Sequence, residues 1–560
     1  MVRAFLGRRP GLLAFASYLV LAFLYLGVPI AAHPEQRLVG QRIDVQIFVW
    51  SLAWWPHAIL HGENPFVTHA IWAPNGVNLT WTTSIPGLAL LAAPITIIAG
   101  PFLAYNVLAV AMPALAAWTA FLLCRRLTRS FWPSLAGGYL FGFSPYLLAQ
   151  SEGHMHQTSV FLIPLVALVV VRYLDDDLSR RRTGIYLGVL IALQLWFSTE
   201  VAFTLTVALA VALAVGFVVV RSRRSRIVQL LPAVVGAYAL AAVLAAPLIV
   251  YLLLGFQHTA IASPRAHPAD LLNLVIPTHL TWLSWGWTNQ ISASFWGSDT
   301  EQDAYLGLPT IAIVLWYVWA KRRTERSRFL AAVLLIGLVA ELGLHLNVRG
   351  RPVVWLPWDL VARLPLFDNV LPVRLSMFVS LGAGVAVASW ASSKVAPRLL
   401  RTALPILAIV AILPSIWNLA WRQTPPQPPF YADRMYQKCL SPNETVLLLP
   451  LPHWTHAMVW QAESDFAFRM AAGYISQKLP TNIPEARYIH HLARTNRPGT
   501  NPRPLLRFAR AQGVTAILIG AKNGTQWTHL LAHVATPTKV GNVFLYRLTP
   551  HRGSACSGGR

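Results

Sequence analysis

Runs of about 20 apolar residues, the length a helix needs to cross a hydrocarbon core, recur along this chain between short polar segments. Candidate spans fall at 11–31, 103–123, 131–149, 157–173, 184–199, 201–220, 228–254, 305–320, 329–346, 371–391 and 402–421. The apolar run 85–99 is kept out of this set. Pro86, Pro94 and the Gly100-Pro101 break interrupt it, and proline inside a helix removes a hydrogen bond and kinks the chain. It reads as a helix lying on the membrane surface or partly inserted.

The charges between the runs give the sidedness. Arg3, Arg8 and Arg9, then Arg125, Arg126 and Arg129, Arg180–Arg182, the cluster at 221–226, the cluster at 321–328, and Lys394, Arg398 and Arg401 lie at alternate ends of the spans. Basic loops stay in the cytoplasm, so the amino terminus is expected inside and the carboxyl terminus outside. The first apolar run is long enough to span, and it reads as an uncleaved first helix rather than a signal peptide.

Residues 42–86 would then be the first external loop. They open with a carboxylate, Asp44, and continue as a tryptophan-rich stretch in which Ile47, Trp50, Trp54 and His61 share one helical stripe. Tryptophan at this density beside a span predicts a helix at the headgroup level. After 421 the pattern changes. Pro425, Pro426, Pro428 and Pro429 form a stiff linker. Beyond it, strand-like runs at 445–451, 514–520 and 542–548 flank a helix-like segment at 504–513, the pattern of a small α/β domain. The expected division is a membrane domain over 1–421, an extracytoplasmic α/β domain over 422–550, and a disordered tail over 551–560.

Composition narrows the class. Hydrophobic residues make up 55% and charged residues 12%, about half the charged fraction of an ordinary soluble chain. The net charge of +24 would suit nucleic acid, but its placement at span ends is that of a membrane protein, and no nucleic-acid partner is expected. Three cysteines, Cys124, Cys439 and Cys556, give no metal-ligand spacing. Cys439 and Cys556 could pair if both lie outside.

Most acids of the membrane region fall in external loops. Asp44 stands out, because apolar and aromatic neighbours exclude water from it and raise the value of a positioned base. Glu200 lies between two apolar runs, as a tip residue or a pocket acid. Histidines recur in pairs, His57 with His61, His154 with His156, and His453 with His456; the first spacing would suit a metal, although no HExxH accompanies it. Arg374 opens a span on the external side, where a guanidinium is costly unless paired, and a phosphate suits its fork. Glu301 and Tyr305 lie at the mouth of another span. Phosphate-cradling glycine loops and GxSxG elbows are absent.

In order along the chain, Asp44 with two surface helices in its loop, CRRLTRS, FGFSPYLLAQSEGHMHQTS, DLLNLVIPTHL, EQDAYLGLP and LPWDLVARLPLFDNVLPVRLSMF resemble the GT-C class of polytopic membrane glycosyltransferases, in a bacterial group that uses polyprenyl-phosphate sugars. The resemblance covers most of residues 40–390. It departs from the class where a second carboxylate often follows the first, since Val45 stands there.

The apolar runs and basic clusters give about eleven spans, and the resemblance implies a helical polytopic fold in the plasma (inner) membrane. It also implies an inverting transfer from a polyprenyl-phosphate sugar to a glycan, lipid or protein acceptor. Asp44 would be the general base. Arg374, with His154 or His156, would hold the lipid phosphate. Glu200, Glu301, Tyr305, Trp50 and Trp54 would line the pocket. No cofactor or metal site is expected, with a divalent cation left open. Two other classes stand beside this one: a transporter or flippase of lipid-linked sugars or envelope lipids, and a non-catalytic scaffold presenting the carboxyl-terminal domain.

Overall fold

The computed structural model describes residues 10–255, 267–415, 421–476, 479–520, 524–549 and 556. The tail expected at 551–560 lies outside these residues apart from Cys556, which forms a disulfide with Cys439.

Among the described residues six helices are long and apolar enough to cross a membrane: Pro10–Gly27, Pro86–Thr128, Met155–Leu174, Thr199–Val219, Arg221–Leu244 and Pro372–Ser392. The chain is a multi-pass membrane protein. Its elements, in order, begin with α1 (Pro10–Ala22), α2 (Val45–Leu60), the hairpin β1 (Val67–Thr68) and β2 (Val77–Asn78), and α3 (Pro86–Thr128). They continue with α4 (Phe131–Gly142), α5 (Pro145–Gln150), α6 (Leu162–Leu174), α7 (Arg180–Phe197), α8 (Thr199–Val219) and α9 (Arg224–Leu244). The membrane region closes with α10 (Leu308–Ala320), α11 (Glu325–Glu341), the hairpin β3 (His345–Val348) and β4 (Arg351–Trp355), α12 (Ser376–Ser392) and α13 (Arg398–Ala411).

Helix α3 joins the expected surface helix and the next span. Its backbone leaves helical geometry at Gly100 (φ 85°), just before Pro101. A positive φ is cheap only for glycine, and proline cannot donate to the turn before it, so the pair makes a bend there.

Helix α4 is clamped by small residues. A methyl group on Gly142 would collide with the backbone and side chain of Ala117 on α3, and one on Gly137 would meet the carbonyl of Gly384 on α12 at 2.7 Å. Close approach through glycine is a common way for membrane helices to gain packing where lipid offers no hydrophobic drive. Gly142→Val is therefore expected to prevent α4 from seating. The folded yield of Gly142→Val in detergent, read by size exclusion, should fall several-fold; a wild-type elution profile would refute the clamp.

The carboxyl-terminal region carries a five-stranded sheet in the order β6-β5-β7-β9-β8, from β5 (Glu444–Leu449), β6 (Phe468–Met470), β7 (Ala516–Gly520), β8 (Thr538–Val540) and β9 (Val543–Arg547). β5 runs parallel to β6 and β7, while β9 is antiparallel to both β7 and β8. The continuous apolar run Val446–Leu449 is wholly buried, as a central parallel strand covered on both faces requires.

The sheet region packs directly on residues 42–86, and that overturns one expectation. Helix α2 is not a headgroup helix: thirteen of its sixteen residues are buried. It joins one core with α3 and with α14 (Ala457–Glu463) of the sheet region. Trp50 and Trp54 stack on each other at 5.5 Å and meet Phe466 edge-on, and the Trp50 indole donates to Gln461 at 2.8 Å. Burying a large apolar side chain is worth roughly 1.5–3 kcal/mol, and α2 buries Phe48, Trp50, Trp54 and Trp55.

The loop after α2 also completes the edge of the sheet. Met470 of β6 donates its N–H to Ala70 at 2.8 Å and accepts from Ala73 at 3.0 Å.

Candidate active site

The site lies where the chain between α4 and α6 folds back into the protein. An external loop was expected around His154 and His156. Instead α4 stops at Gly142, Ser144 caps the short α5, and residues 151–160 are buried apart from part of His154. A charged and polar segment can stay buried only if its groups are partnered, and the partners come from distant elements.

Asp44, at the amino end of α2, accepts a hydrogen bond on Oδ1 from the Tyr474 hydroxyl of the sheet region. Its Oδ2 faces His154 Nε2 at 3.7 Å. Burial pushes the Asp44 carboxyl up, but the His154 ring and the Tyr474 hydroxyl, with Arg42 behind them, outweigh it and hold the group below the ordinary carboxylate value. Asp44 is ionised at neutral pH.

His154 leads inward. Its Nδ1 lies 2.8 Å from Gln150 Oε1 and 3.8 Å from Glu301 Oε1. The Gln150 amide donates to the Thr300 carbonyl at 2.7 Å and to Asp303 Oδ2 at 3.0 Å. Asp303 accepts from Ser376 at 2.9 Å on its other oxygen. Burial, with Glu301 nearby, pushes Asp303 up to about 8.

Arg374 is the hub. Its Nε lies 3.2 Å from both oxygens of Glu301, and its Nη2 donates to Glu301 at 2.6 Å. Its Nη1 reaches both oxygens of Glu200 at 2.9 and 2.8 Å. Glu301 is 3% exposed and Glu200, in the first turn of α8, 27%. Burial pushes Glu301 up and the adjacent guanidinium brings it below its ordinary value. His156 Nε2 stands 3.9 Å from Glu200, its ring stacks on Phe48, and its Nδ1 is buried without a partner.

Five sequence candidates thus meet Asp44 in one cluster: His154, His156, Glu200, Glu301 and Arg374. The others need correction. Trp50 and Trp54 leave the pocket, because their faces are spent on each other and on Phe466. Tyr305 is buried in a separate core with Tyr139 and Ile412. Arg374 is not a free fork awaiting a phosphate, since both sides of its guanidinium already hold a carboxylate.

Sequence reading missed Tyr474, Gln150 and Asp303. It also missed a flanking cluster: Arg42 bonds the buried Glu152 at 3.3 Å and Asp299 at 3.0 Å, and burial lifts Glu152 to about 7 despite Arg42. Asp303 and Gln150 stand inside the stretches EQDAYLGLP and FGFSPYLLAQ, so proximity in sequence to the chosen residues was the available signal. Tyr474 had none. Among the described residues no group of three or more His, Cys, Asp or Glu side chains is arranged to hold a metal ion.

A family model described as a domain of unknown function, DUF6311, matches residues 14–380. No curated protein matches the chain in sequence. In backbone the chain is similar to the oligosaccharyltransferase AglB from Archaeoglobus fulgidus, solved with an inhibitory peptide and a dolichol-phosphate (TM-score 0.52, 13% identity, over 92% of this chain and 71% of that one). It is similar to ArnT from Cupriavidus metallidurans bound to undecaprenyl phosphate (TM-score 0.53, 11% identity, over 98% and 99%). It is similar too to the mycobacterial arabinofuranosyltransferase AftD (TM-score 0.56, 15% identity, over 97%), of which it spans 40%. At these identities the likeness is one of fold, and the fold is that of the GT-C glycosyltransferases.

Proposed function

We propose that this chain, which belongs to the DUF6311 family, is an inverting membrane glycosyltransferase that takes its sugar from a polyprenyl-phosphate donor. The observation that carries the reading is Asp44: an ionised, half-buried carboxylate one imidazole away from a buried Arg374 held between two acids. The fold supports the same class of reaction.

In this reading Asp44 removes the proton of an acceptor hydroxyl as its oxygen attacks the anomeric carbon. The bond from that carbon to the donor phosphate breaks on the opposite face, and polyprenyl phosphate leaves with the electron pair. Asp44 is held ionised by the His154 ring, the Tyr474 hydroxyl and Arg42, and the departing phosphate needs donors, whose stabilisation of its charge is usually a large share of catalysis.

Arg374 supplies those donors once Glu200 yields. Glu301 is buried and bonded by two nitrogens, so it stays. Glu200 is the more exposed partner, and its two oxygens occupy the place on Nη1 that phosphate oxygens would take. Neutralising it as Glu200→Gln is accordingly expected to tighten binding of undecaprenyl phosphate by about tenfold, as removal of one competing charge-assisted contact would. Equal or weaker binding in microscale thermophoresis would remove Glu200 from this role.

The reading also includes about eleven spans, a cytoplasmic amino terminus, an extracytoplasmic sheet domain from about 422 to 550, and residence in the plasma membrane. The acceptor is a glycan, a lipid or a protein. No cofactor takes part, and a chelator added to the assay tests for a divalent cation.

The decisive assay supplies the purified chain with radiolabelled polyprenyl-phosphate mannose, arabinose and glucose and measures sugar release in the presence of envelope acceptors. Turnover of one donor by wild type supports the transferase. Movement of intact donor across vesicles without consumption would put the flippase in its place.

A further inference from the structure

The transferase reading leaves open which oxygen of Asp44 takes the proton and what holds the carboxylate still. The geometry points to Tyr474 as a positioning residue for Asp44: its hydroxyl occupies Oδ1, so that Oδ2, facing His154, is the oxygen that binds and deprotonates the acceptor hydroxyl. This inference rests on that reading and deepens it.

Three observations converge. The first is the occupancy of Asp44 itself. Oδ1 accepts from Tyr474, while among the described residues Oδ2 has His154 Nε2 before it at 3.7 Å, beyond hydrogen-bond reach.

The second is the orientation of His154. The Gln150 amide donates through Nε2 to Thr300 and Asp303, so its Oε1 must be the end turned to His154 Nδ1, at 2.8 Å. A carbonyl oxygen accepts only, so Nδ1 carries a proton. Nε2 is therefore the ring nitrogen turned towards Oδ2. The 3.7 Å between Nε2 and Oδ2 is too long for a direct hydrogen bond, and an acceptor hydroxyl placed beside Oδ2 would fill that position.

The third is the fixing of Tyr474 by the sheet region. Its ring packs against His453 at 4.6 Å. The segment carrying His453 is tied to α2, because Gln46 donates to the Pro452 carbonyl at 2.9 Å and accepts from the Met458 N–H at 3.2 Å. Burial pushes His453 down to about 4, so it stays neutral and does not compete with the acceptor for Asp44 at neutral pH. The hydroxyl that orients the base is thus delivered by the domain furthest from it in sequence.

Tyr474→Phe in the full-length protein tests the assignment. The ring and its packing on His453 remain and only the hydroxyl is lost. The Asp44 carboxylate then loses a hydrogen bond that favours its charged form, and the burial that opposes ionisation gains ground. A base works only when deprotonated, so the acid limb of kcat/KM for the acceptor should move up by about one pH unit. kcat at neutral pH should fall about tenfold or more. Undecaprenyl phosphate binding, which does not involve Tyr474, should stay at the wild-type level and reports that the variant is folded.

An unchanged acid limb in Tyr474→Phe, alongside an inactive Asp44→Asn, overturns the role of Tyr474 and leaves the transferase reading in place. An active Asp44→Asn overturns the transferase reading instead. A variant that loses donor binding as well as turnover shows Tyr474 to be a structural residue and also overturns the assignment.

Discussion

Asp44→Asn is expected to lower sugar transfer by about 10²–10⁴-fold, the usual contribution of a positioned general base, while donor binding is retained. The amide is nearly isosteric and its oxygen still accepts from Tyr474, so the fold has no reason to change. What it loses is the charge that receives the proton. The measurement is turnover of the radiolabelled donor beside equilibrium binding of undecaprenyl phosphate. Wild-type turnover in Asp44→Asn would move the base elsewhere, and Glu152 would be the next carboxylate to test.

The second large effect concerns Arg374 and divides into stability and function. Arg374→Met leaves Glu301 buried without a counter-charge and Glu200 without its partner. Removing one member of a buried ion pair costs about 3–5 kcal/mol, because the remaining charge stays desolvated. A marked drop in the thermal midpoint is expected, read by tryptophan fluorescence in detergent. Adding Glu301→Gln and Glu200→Gln to Arg374→Met removes the stranded charges and should restore most of the lost stability, since a neutral replacement of a buried ion cluster is often tolerated. It should not restore donor binding, because no guanidinium remains for the phosphate. Recovery of both properties together would show Arg374 to be a structural cation only.

Residues that are expensive where they stand were legible from sequence. Arg374 and Glu301 lie 73 positions apart, and Arg374 and Glu200 lie 174 apart, yet each drew notice as a charge at the edge of an apolar run. Such charges persist when they pair or act, and here they pair.

The tryptophan stripe of α2 was legible as a stripe and misleading about what covers it. A period near 3.6 shows that one face is apolar. It does not say whether lipid headgroups or another domain lie against that face, and here Gln461 and Phe466 do. Tyr474 was illegible for a different reason. It meets Asp44 from 430 positions away, on a loop with no periodicity and no motif. The strands at 444–449 and 516–520, which pair in parallel, were readable because a buried parallel strand is a short continuous apolar run, and the antiparallel strand at 543–547 showed the same short apolar character.

The union of α2 with the sheet region sets a timetable for the making of the protein. Gln46 and Trp50 find their partners Pro452 and Gln461 only 406 and 411 positions later. At roughly 5–20 residues per second of synthesis, a helix with four large aromatic side chains waits on the order of half a minute for the surface that will cover it. Until then the bilayer interface is the one place nearby where tryptophan rests without penalty. The amphipathic stripe therefore suits two successive homes, the membrane surface during translation and the protein interior afterwards. Chains truncated before residue 452 would lack the partners of Gln46 and Trp50 and so leave uncovered the residues that bury most deeply in the finished molecule.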